Sequence, residues 1–562
     1  MVPSDEEVRM TERSYVCGTS EQPLIGRTIG QELARIAADR PDGEAIVAIH
    51  QGARLTYADL LGRADRIGSA LKDVGVTPGD RVGIWSANRW EWAAIQYATA
   101  RIGAILVNVN PAYRSHELAF ALRHAGISVL VSAPAFRLTD YRPILDEVLP
   151  QVPNVRHVVL LDPLGGAEGD APAWAEPWAA FLERGDGRIP EDLGAALDPD
   201  DPINIQFTSG TTGNPKGATL THRNVLNNGW FVGERLRLTE EDRICVPVPY
   251  YHCFGMVMGN LAALTHGATV VLPSAAFDPR ATLRAVEAER CTALYGVPTM
   301  FVAELEDPEI DRADLTSLRT GIMAGSPCPI VVMQQVIERM HAREMTICYG
   351  MTETSPVSFQ SLPDDDLSHR VETVGTVHPW VEAKVIDPAT GRTVPRGETG
   401  ELCTRGYLVM RGYWEDPRST AEAVDAAGWM HTGDLAVMQD DGYVRIVGRS
   451  KDMIIRGGEN VYPREIEEFL ATHPAIADVQ VVGVPDPKYG EEIGAWVILH
   501  AGAEATEEDI RAFCRGKIAT YKIPRSVRFV DAFPTTVTGK IQKFRLREQA
   551  AQGSGAAFAR ER

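Results

Sequence analysis

Cysteine is scarce and poorly spaced for metal or redox chemistry. The eight residues, at 17, 245, 253, 291, 328, 348, 403 and 514, include no Cys-x-x-Cys pair, so the spacing indicates neither a zinc cluster nor a dithiol redox motif. Reduced, mostly buried thiols are expected. Long hydrophobic runs are missing too: none reaches the roughly 18 residues that a bilayer span requires. Asp5, Glu6 and Glu7 deny the N-terminal stretch a signal-peptide core and the acid-poor character of a transit peptide. A soluble cytoplasmic protein with no stable membrane insertion is expected. Basic charge is in deficit, with 56 Lys and Arg against 76 Asp and Glu for a net charge of −20. That excludes bulk electrostatic binding of nucleic acid and leaves room only for a local basic pocket.

The 562 residues, 44% of them hydrophobic, are enough for several cores, and a single domain is not expected. Glycine and proline are in mild excess, at 50 and 36 residues, so their positions carry information. From about 30 to 300, apolar runs that read as buried strands (Arg81 to Trp85, Ser128 to Val131, His157 to Leu161, Ala268 to Leu272) alternate with helical patterns. One such pattern is Leu60, Ala64, Ile67, Leu71 and Val74, closed by Gly75. The alternation predicts parallel α/β layers. Between about 371 and 448, short β-rich runs broken by Asp387-Pro388, Thr390-Gly391 and Asp441-Gly442 predict a small antiparallel barrel or sheet. After Lys451, helical patterns at Pro463 to His473 and Thr506 to Ile518 predict a separate α+β domain, with Thr506 and Asp509 in a capping-box relation. The fold class is thus α/β: a large N-terminal domain (20–450) of layered α/β subdomains with a small β-barrel-like subdomain, a smaller α+β C-terminal domain (451–548), and a disordered tail (549–562).

The densest polar-glycine run, Thr208-Ser-Gly-Thr-Thr-Gly-Asn-Pro-Lys-Gly217, follows the predicted strand Ile203 to Phe207. Its glycines expose backbone N–H groups, its hydroxyls add donors and Lys216 adds charge, a combination suited to an oligophosphate. It is not a Walker loop, because Pro215 stands where that motif requires glycine.

Thr208 to Gly217 resembles the signature of the AMP-forming acyl-adenylate superfamily, and further motifs follow in that family's order. They are Tyr349-Gly-Met-Thr-Glu-Thr354, Gly400-Glu-Leu-Cys-Thr-Arg-Gly406 with Gly412-Tyr-Trp414, Trp429-Met-His-Thr-Gly-Asp434, Gly448-Arg-Ser-Lys-Asp452, Gly457-Gly-Glu-Asn460 and Thr538-Gly-Lys-Ile541. The resemblance covers about 25 to 548. Tyr251-His-Cys-Phe-Gly255 and Met323-Ala-Gly-Ser-Pro-Cys-Pro329 are most similar to the medium-chain fatty acyl-CoA synthetase branch.

The resemblance implies two half-reactions: a carboxylate attacks the α-phosphate of MgATP, giving acyl-AMP and pyrophosphate, and the CoA thiol then displaces AMP. It implies that Thr208, Ser209, Gly210, Thr211, Thr212, Gly213 and Lys216 wrap the phosphates, Thr352 donates to the α-phosphate and Glu353 ligates Mg²⁺. Ala324, Gly325, Ser326 and Pro327 would wall the adenine opposite Tyr349, within the Tyr349, Gly350 and Met351 segment. Asp434 and Arg449 would hold the ribose. Lys540, which alone reads as a solvated lysine, becomes the catalytic lysine of adenylation. Lys451 becomes the hinge about which a mobile C-terminal domain rotates, bringing Gly457 and Gly458 to line the pantetheine tunnel. The implied co-substrates are ATP, CoA and a small carboxylic acid, with Mg²⁺ as cofactor; a monomer and a homodimer are both compatible.

Gly350 stands where acetate-activating relatives carry tryptophan, and a glycine leaves that pocket open. Phe254, Met256, Val297 and Met300 are candidate apolar walls, and His252 is either an acyl-channel gate or a core histidine. The expected enzyme is a medium-chain fatty acyl-CoA ligase. The alternatives are an aryl or arylpropenoic acid-CoA ligase, a carrier-protein-loading adenylation enzyme, or a catalytically silent nucleotide-binding homologue. The last is disfavoured by the presence of Glu353, Asp434, Arg449 and Lys540.

Overall fold

The computed structural model describes residues 12–164, 171–208, 215–456, 459–535 and 541–557. Local sequence rules account for its elements. In the helix Tyr57–Asp73 the stripe is buried at Leu60, Ala64, Ile67 and Leu71, while Val74, just past the helix end, is half-buried. Its start is fixed by reciprocal hydrogen bonds between Thr56 and Asp59, and Gly75, at φ +87°, supplies the left-handed turn beyond its end. The Thr506–Asp509 capping box is likewise present on the helix Glu507–Cys514.

Packing groups the chain into two compact units, and the division does not fall at 450/451. Val16–Ala383 and Thr404–Met430 form one unit; the stretch ending at Tyr15, Lys384–Cys403 and the residues from His431 onward form the other. The first holds two large mixed sheets. One takes its strands in the order 176–177, 157–160, 127–132, 81–85, 105–109, 202–208, 216–221 and 412–413. The other runs 376–377, 357–360, 344–350, 320–324, 293–296, 243–245, 269–272, 44–48 and 53–56. Central strands such as Ile127–Ser132 and Thr320–Ala324 are buried at every residue, as parallel strands covered on both faces must be. Helices Ile29–Asp39, Tyr57–Asp73 and Trp90–Ile102 share one core with the π-helical segment Phe254–Leu261.

In the second unit the long hairpin Ile476–Asp486 and Gly490–Leu499 centres a sheet that also holds 454–456, 459–461 and 526–529. Helices Pro463–Leu470 and Glu507–Cys514 bury Ile466, Leu470, Ile510 and Cys514 against it. Two expectations change. The strands Val381–Ile386, Thr399–Gly406, Met430–Met438 and Val444–Arg449 lie in an open sheet rather than a closed barrel, and Gly412–Tyr413 joins the first large sheet instead. The expected tail from 549 is helical as far as Ala557, within the helix Lys543–Ala557. Leu546 and Ala550, one turn apart, anchor that helix on Val482 and Trp496 and override the helix-breaking composition beyond.

Candidate active site

Three neighbouring parallel strands, Ala293–Gly296, Thr320–Ala324 and Glu344–Gly350, end together, with Gly296 paired to Met323 and Ala324 to Cys348. The crevice beyond such carboxyl ends is where open α/β sheets bind ligands. Their exits carry Val297, the exposed Gly325-Ser326-Pro327 and the segment from Tyr349 to Glu353. Gly325 has φ +96°, and a Cβ there would lie 3.2 Å from Val297 Cγ1. A candidate adenine wall therefore lies beside a candidate acyl wall. Tyr349 is half-buried, its ring edge-on to Phe359 at 6.2 Å.

Gly350 is required by its own backbone surroundings. A Cβ at this position would fall 1.7 Å from the Pro356 carbonyl oxygen. That oxygen already accepts from Met351 N at 3.0 Å and Thr354 Oγ1 at 2.8 Å. The turn back to Val357–Gln360 thus leaves no room for a side chain at this position in the present backbone.

Glu353 is only 6% exposed. Its carboxylate Oε1 accepts from Tyr413 Oη at 2.8 Å, and its carbonyl accepts from Met410 N at 2.9 Å. Lys216 Nζ lies 5.0 Å from the centre of the Tyr413 ring, within cation–π range. Burial and the adjacent Glu353 carboxylate hold the Tyr413 hydroxyl in its protonated, donating form. The strand Gly412–Tyr413 is fixed here by pairing with Ala218 and Thr219. Tyr413, sixty residues from its partner, takes no role from the sequence motif Gly412-Tyr-Trp414 alone, which is the one local signal for it.

The predicted phosphate loop joins two paired strands, Pro202–Thr208 and Lys216–Thr221, whose register sets Thr208 opposite Lys216. Ser209, Gly210, Thr211, Thr212 and Gly213 lie outside the described residues. Thr352 starts a short 3₁₀ turn with Glu353.

Among the acyl candidates, Phe254 stacks on Tyr295 at 5.9 Å, and Val297 and Met300 are half-buried near it in sequence and in one core. Met256 is not a simple apolar wall. Its Sδ accepts from Asn108 Nδ2 at 3.2 Å and Gln206 Nε2 at 3.1 Å. These amides continue a buried chain through Asn204, and Gln206 Oε1 accepts from Cys253 Sγ at 3.2 Å. Burial pushes the Cys253 thiol up to about 12, so it stays protonated and unreactive. His252 is exposed, and its Nδ1 accepts from Phe254 N at 3.2 Å, a local cap rather than a core contact.

In the second unit, the strands Met430–Met438 and Val444–Arg449 set Asp434 directly opposite Arg449. Arg449 Nε donates to Asp434 Oδ1 at 3.0 Å. Lys451 is exposed in the turn Ser450–Asp452, whose backbone and Asp452 carboxylate accept from Arg547. Gly457 and Gly458 lie outside the described residues, flanked by the paired Arg456 and Glu459. Lys540 also lies outside them, next to Ile541, which bridges to Thr535.

A buried carboxylate, a lysine beside a tyrosine ring and exposed glycine backbone at parallel-strand ends make a site of an α/β fold suited to an anionic ligand. The comparisons agree. The AMP-binding enzyme family profile matches residues 33–414, and that of the AMP-binding enzyme C-terminal domain matches 465–540. YngI of Bacillus subtilis (strain 168), named as an acyl-CoA synthetase, is 47% identical over 94% of this chain and 98% of its own. The medium-chain acyl-CoA ligase ACSF2, mitochondrial, of Homo sapiens is 43% identical over 95% and 89%. Among solved structures, the anthranilate CoA ligase AuaEII in complex with anthranoyl-AMP superimposes with a TM-score of 0.85 at 27% identity, covering 95% of this chain and 99% of that one. ATP-bound MatB from Rhodopseudomonas palustris does so at 0.80 and 30%, covering 92% and 98%. The chain belongs to the AMP-binding enzyme family.

On the expectation that Glu353 ligates Mg²⁺, replacing Tyr413 by phenylalanine should lower apparent Mg²⁺ affinity about 10- to 100-fold, the range for losing a group that orients a metal ligand. Initial rates titrated with Mg²⁺ at fixed ATP check this, and the KM for the acid should stay unchanged.

Proposed function

We propose that this protein is an ATP-dependent fatty acyl-CoA ligase acting on medium-chain acids. The observation that carries the reading is the convergence of Lys216, Tyr413 and buried Glu353 beside the strand ends that bear Tyr349 and Gly325. Relatives named acyl-CoA synthetase and medium-chain acyl-CoA ligase align along nearly the whole chain.

In the first half-reaction the acid's carboxylate oxygen attacks the α-phosphorus of ATP, and the bond to the pyrophosphate oxygen breaks. Two anions meet in this step, so donors and cations must be aimed at the pentavalent phosphate. Lys216 and the loop it closes bind the outer phosphates, Thr352 donates to the α-phosphate, and Lys540 bridges the attacking carboxylate and that phosphate. Tyr349 and the Ala324–Pro327 segment sandwich the adenine, while Asp434 accepts from the ribose hydroxyls beside Arg449. The donor set fits Mg²⁺: Glu353 offers a buried, preoriented carboxylate oxygen to a hard cation. When bound, Mg²⁺ supplies neutralising charge to the phosphates. In the second half-reaction the CoA sulfur attacks the acyl carbon, AMP leaves and the thiol proton is released to solvent. Lys451 is the pivot between the halves, and Gly457 and Gly458 line the thiol's path.

Phe254, Val297 and Met300 bound the acyl chain, and each CH₂ buried there contributes about 0.8 kcal/mol. The second reading, an aryl-acid ligase, draws on the stacked Phe254–Tyr295 pair and the anthranilate-activating relative. A panel of straight-chain acids from two to sixteen carbons and of aromatic acids, assayed for AMP release dependent on both ATP and CoA, separates them. A maximum at medium chain length supports the first reading; a maximum at a benzoate or cinnamate supports the second. No helix among the described residues is long and apolar enough to cross a membrane. A cytoplasmic location is part of this reading, and cell fractionation with immunodetection tests it.

A further inference from the structure

Three metal-ligating side chains that the reaction above does not use come together in the second unit. Glu401 and Cys403 stand two apart on the strand Thr399–Gly406, where the two-residue period puts them on one face. His431 is the second residue of the strand Met430–Met438. His431 Nδ1 lies 3.2 Å from Glu401 Oε2 and 3.6 Å from Cys403 Sγ, and all three donor atoms lie within 4.8 Å of one another.

These separations suit a particular ion. Tetrahedral Zn²⁺, with bonds of about 2.0 Å to nitrogen and oxygen and about 2.3 Å to sulfur, needs edges of roughly 3.3 Å from N to O and roughly 3.5 Å from N to S. The separations of His431 Nδ1 from Glu401 Oε2 and from Cys403 Sγ agree with those edges to within about 0.1 Å. The burial gradient is also that of a site with one open position: Cys403 is fully buried, while the side chains of Glu401 and His431 are 16% and 30% exposed. Glu401 Oε1 accepts from Gly433 N at 3.1 Å, an outer contact that orients the carboxylate and turns Oε2 toward the other two donors. A sulfur, nitrogen and oxygen set with one thiol selects a thiophilic cation over Mg²⁺ or Ca²⁺.

We propose that Glu401, Cys403 and His431 form a site for a thiophilic divalent cation, with Zn²⁺ the fitting ion and water in the fourth position. Binding converts the Cys403 thiol to a thiolate, with its proton released to solvent. The ion clasps the strand 399–406 to the residues that lead into Gly433 and Asp434, so it is a structural pin. Nothing in it requires the ligase reading.

The test uses tag-free full-length protein, stripped with EDTA, dialysed and titrated with Co²⁺ as a spectroscopic probe. One equivalent should give a thiolate-to-cobalt charge-transfer band in the near ultraviolet, displaced stoichiometrically by Zn²⁺. C403A should lose the band, and H431A and E401Q should each weaken Co²⁺ binding at least tenfold, with circular dichroism confirming that each variant is folded. Zn²⁺ should also raise the thermal midpoint of the parent protein and not that of C403A. The proposal is overturned if one equivalent of Co²⁺ gives no charge-transfer band in the parent protein, or if a folded C403A or H431A gives the parent band at the parent affinity. If neither of those variants folds, parent-like Co²⁺ binding by E401Q overturns the three-ligand site.

Discussion

Lys540→Ala should slow acyl-AMP formation by about 100- to 1000-fold, the cost of removing one donor aimed at a charge-developing transition state. The same protein should still convert supplied acyl-AMP and CoA to the thioester at close to the parent rate. The asymmetry follows from charge. Adenylation brings a carboxylate against a polyphosphate, and a flexible ammonium that touches both lowers the repulsion between them. Thioester formation has no such encounter, since the attacked carbonyl is neutral and pyrophosphate has gone. Single-turnover measurement of the two half-reactions with separate substrates distinguishes the outcomes. Equal loss in both would mean that Lys540 supports the fold and not the first chemical step.

Gly350→Ala should destabilise the protein by about 1–3 kcal/mol, the usual cost of forcing a backbone shift in a packed region, and should lower kcat for every acid together. The reason lies in what the methyl group would meet. The added Cβ would sit 1.7 Å from Pro356 O and 2.7 Å from Pro356 C, and neither is the far end of a flexible side chain. The Pro356–Val357 segment is in turn held by Asn228, whose amide donates to Val357 O at 2.8 Å and accepts from Val357 N at 3.0 Å. Accommodation must therefore move Met351, Thr352 and Glu353, which are anchored to the same turn. Thermal denaturation and the chain-length profile together check this. An unchanged midpoint with a profile shifted to short acids would show that position 350 faces the acyl chain after all.

These cases mark how far the sequence could be read. Where information is local, the residues sufficed: Arg81–Trp85 is the predicted strand end to end, and the Thr506–Asp509 and Leu60–Leu71 patterns place two helices. The strand before Thr208 follows from one apolar run, Ile203 to Phe207, whereas the strand returning at Lys216 is seen only in the structure. What depends on strand pairing was not legible. Glu353 meets Tyr413, and Glu401 meets His431, only because their strands or turns are brought into register. The cysteine spacing that argued against a zinc motif says nothing about a histidine 28 residues further along. The role of Gly350 hinges on a bulge between Tyr349 and Gly350 in the pairing with Val357–Gln360, which no periodicity reveals. Met256 read as an apolar wall because its thioether is hydrophobic by composition, yet two buried amides use its sulfur as an acceptor.

The central claim, that an acid is adenylated before CoA takes part, is tested most directly by pyrophosphate exchange. Protein, ATP, Mg²⁺ and labelled pyrophosphate are incubated with a medium-chain acid and no CoA. The account predicts label returning to ATP at a rate that depends on the acid, because the first half-reaction is reversible and complete in itself. Exchange that is absent without CoA, or the appearance of ADP and phosphate in place of AMP and pyrophosphate in the full reaction, would contradict it.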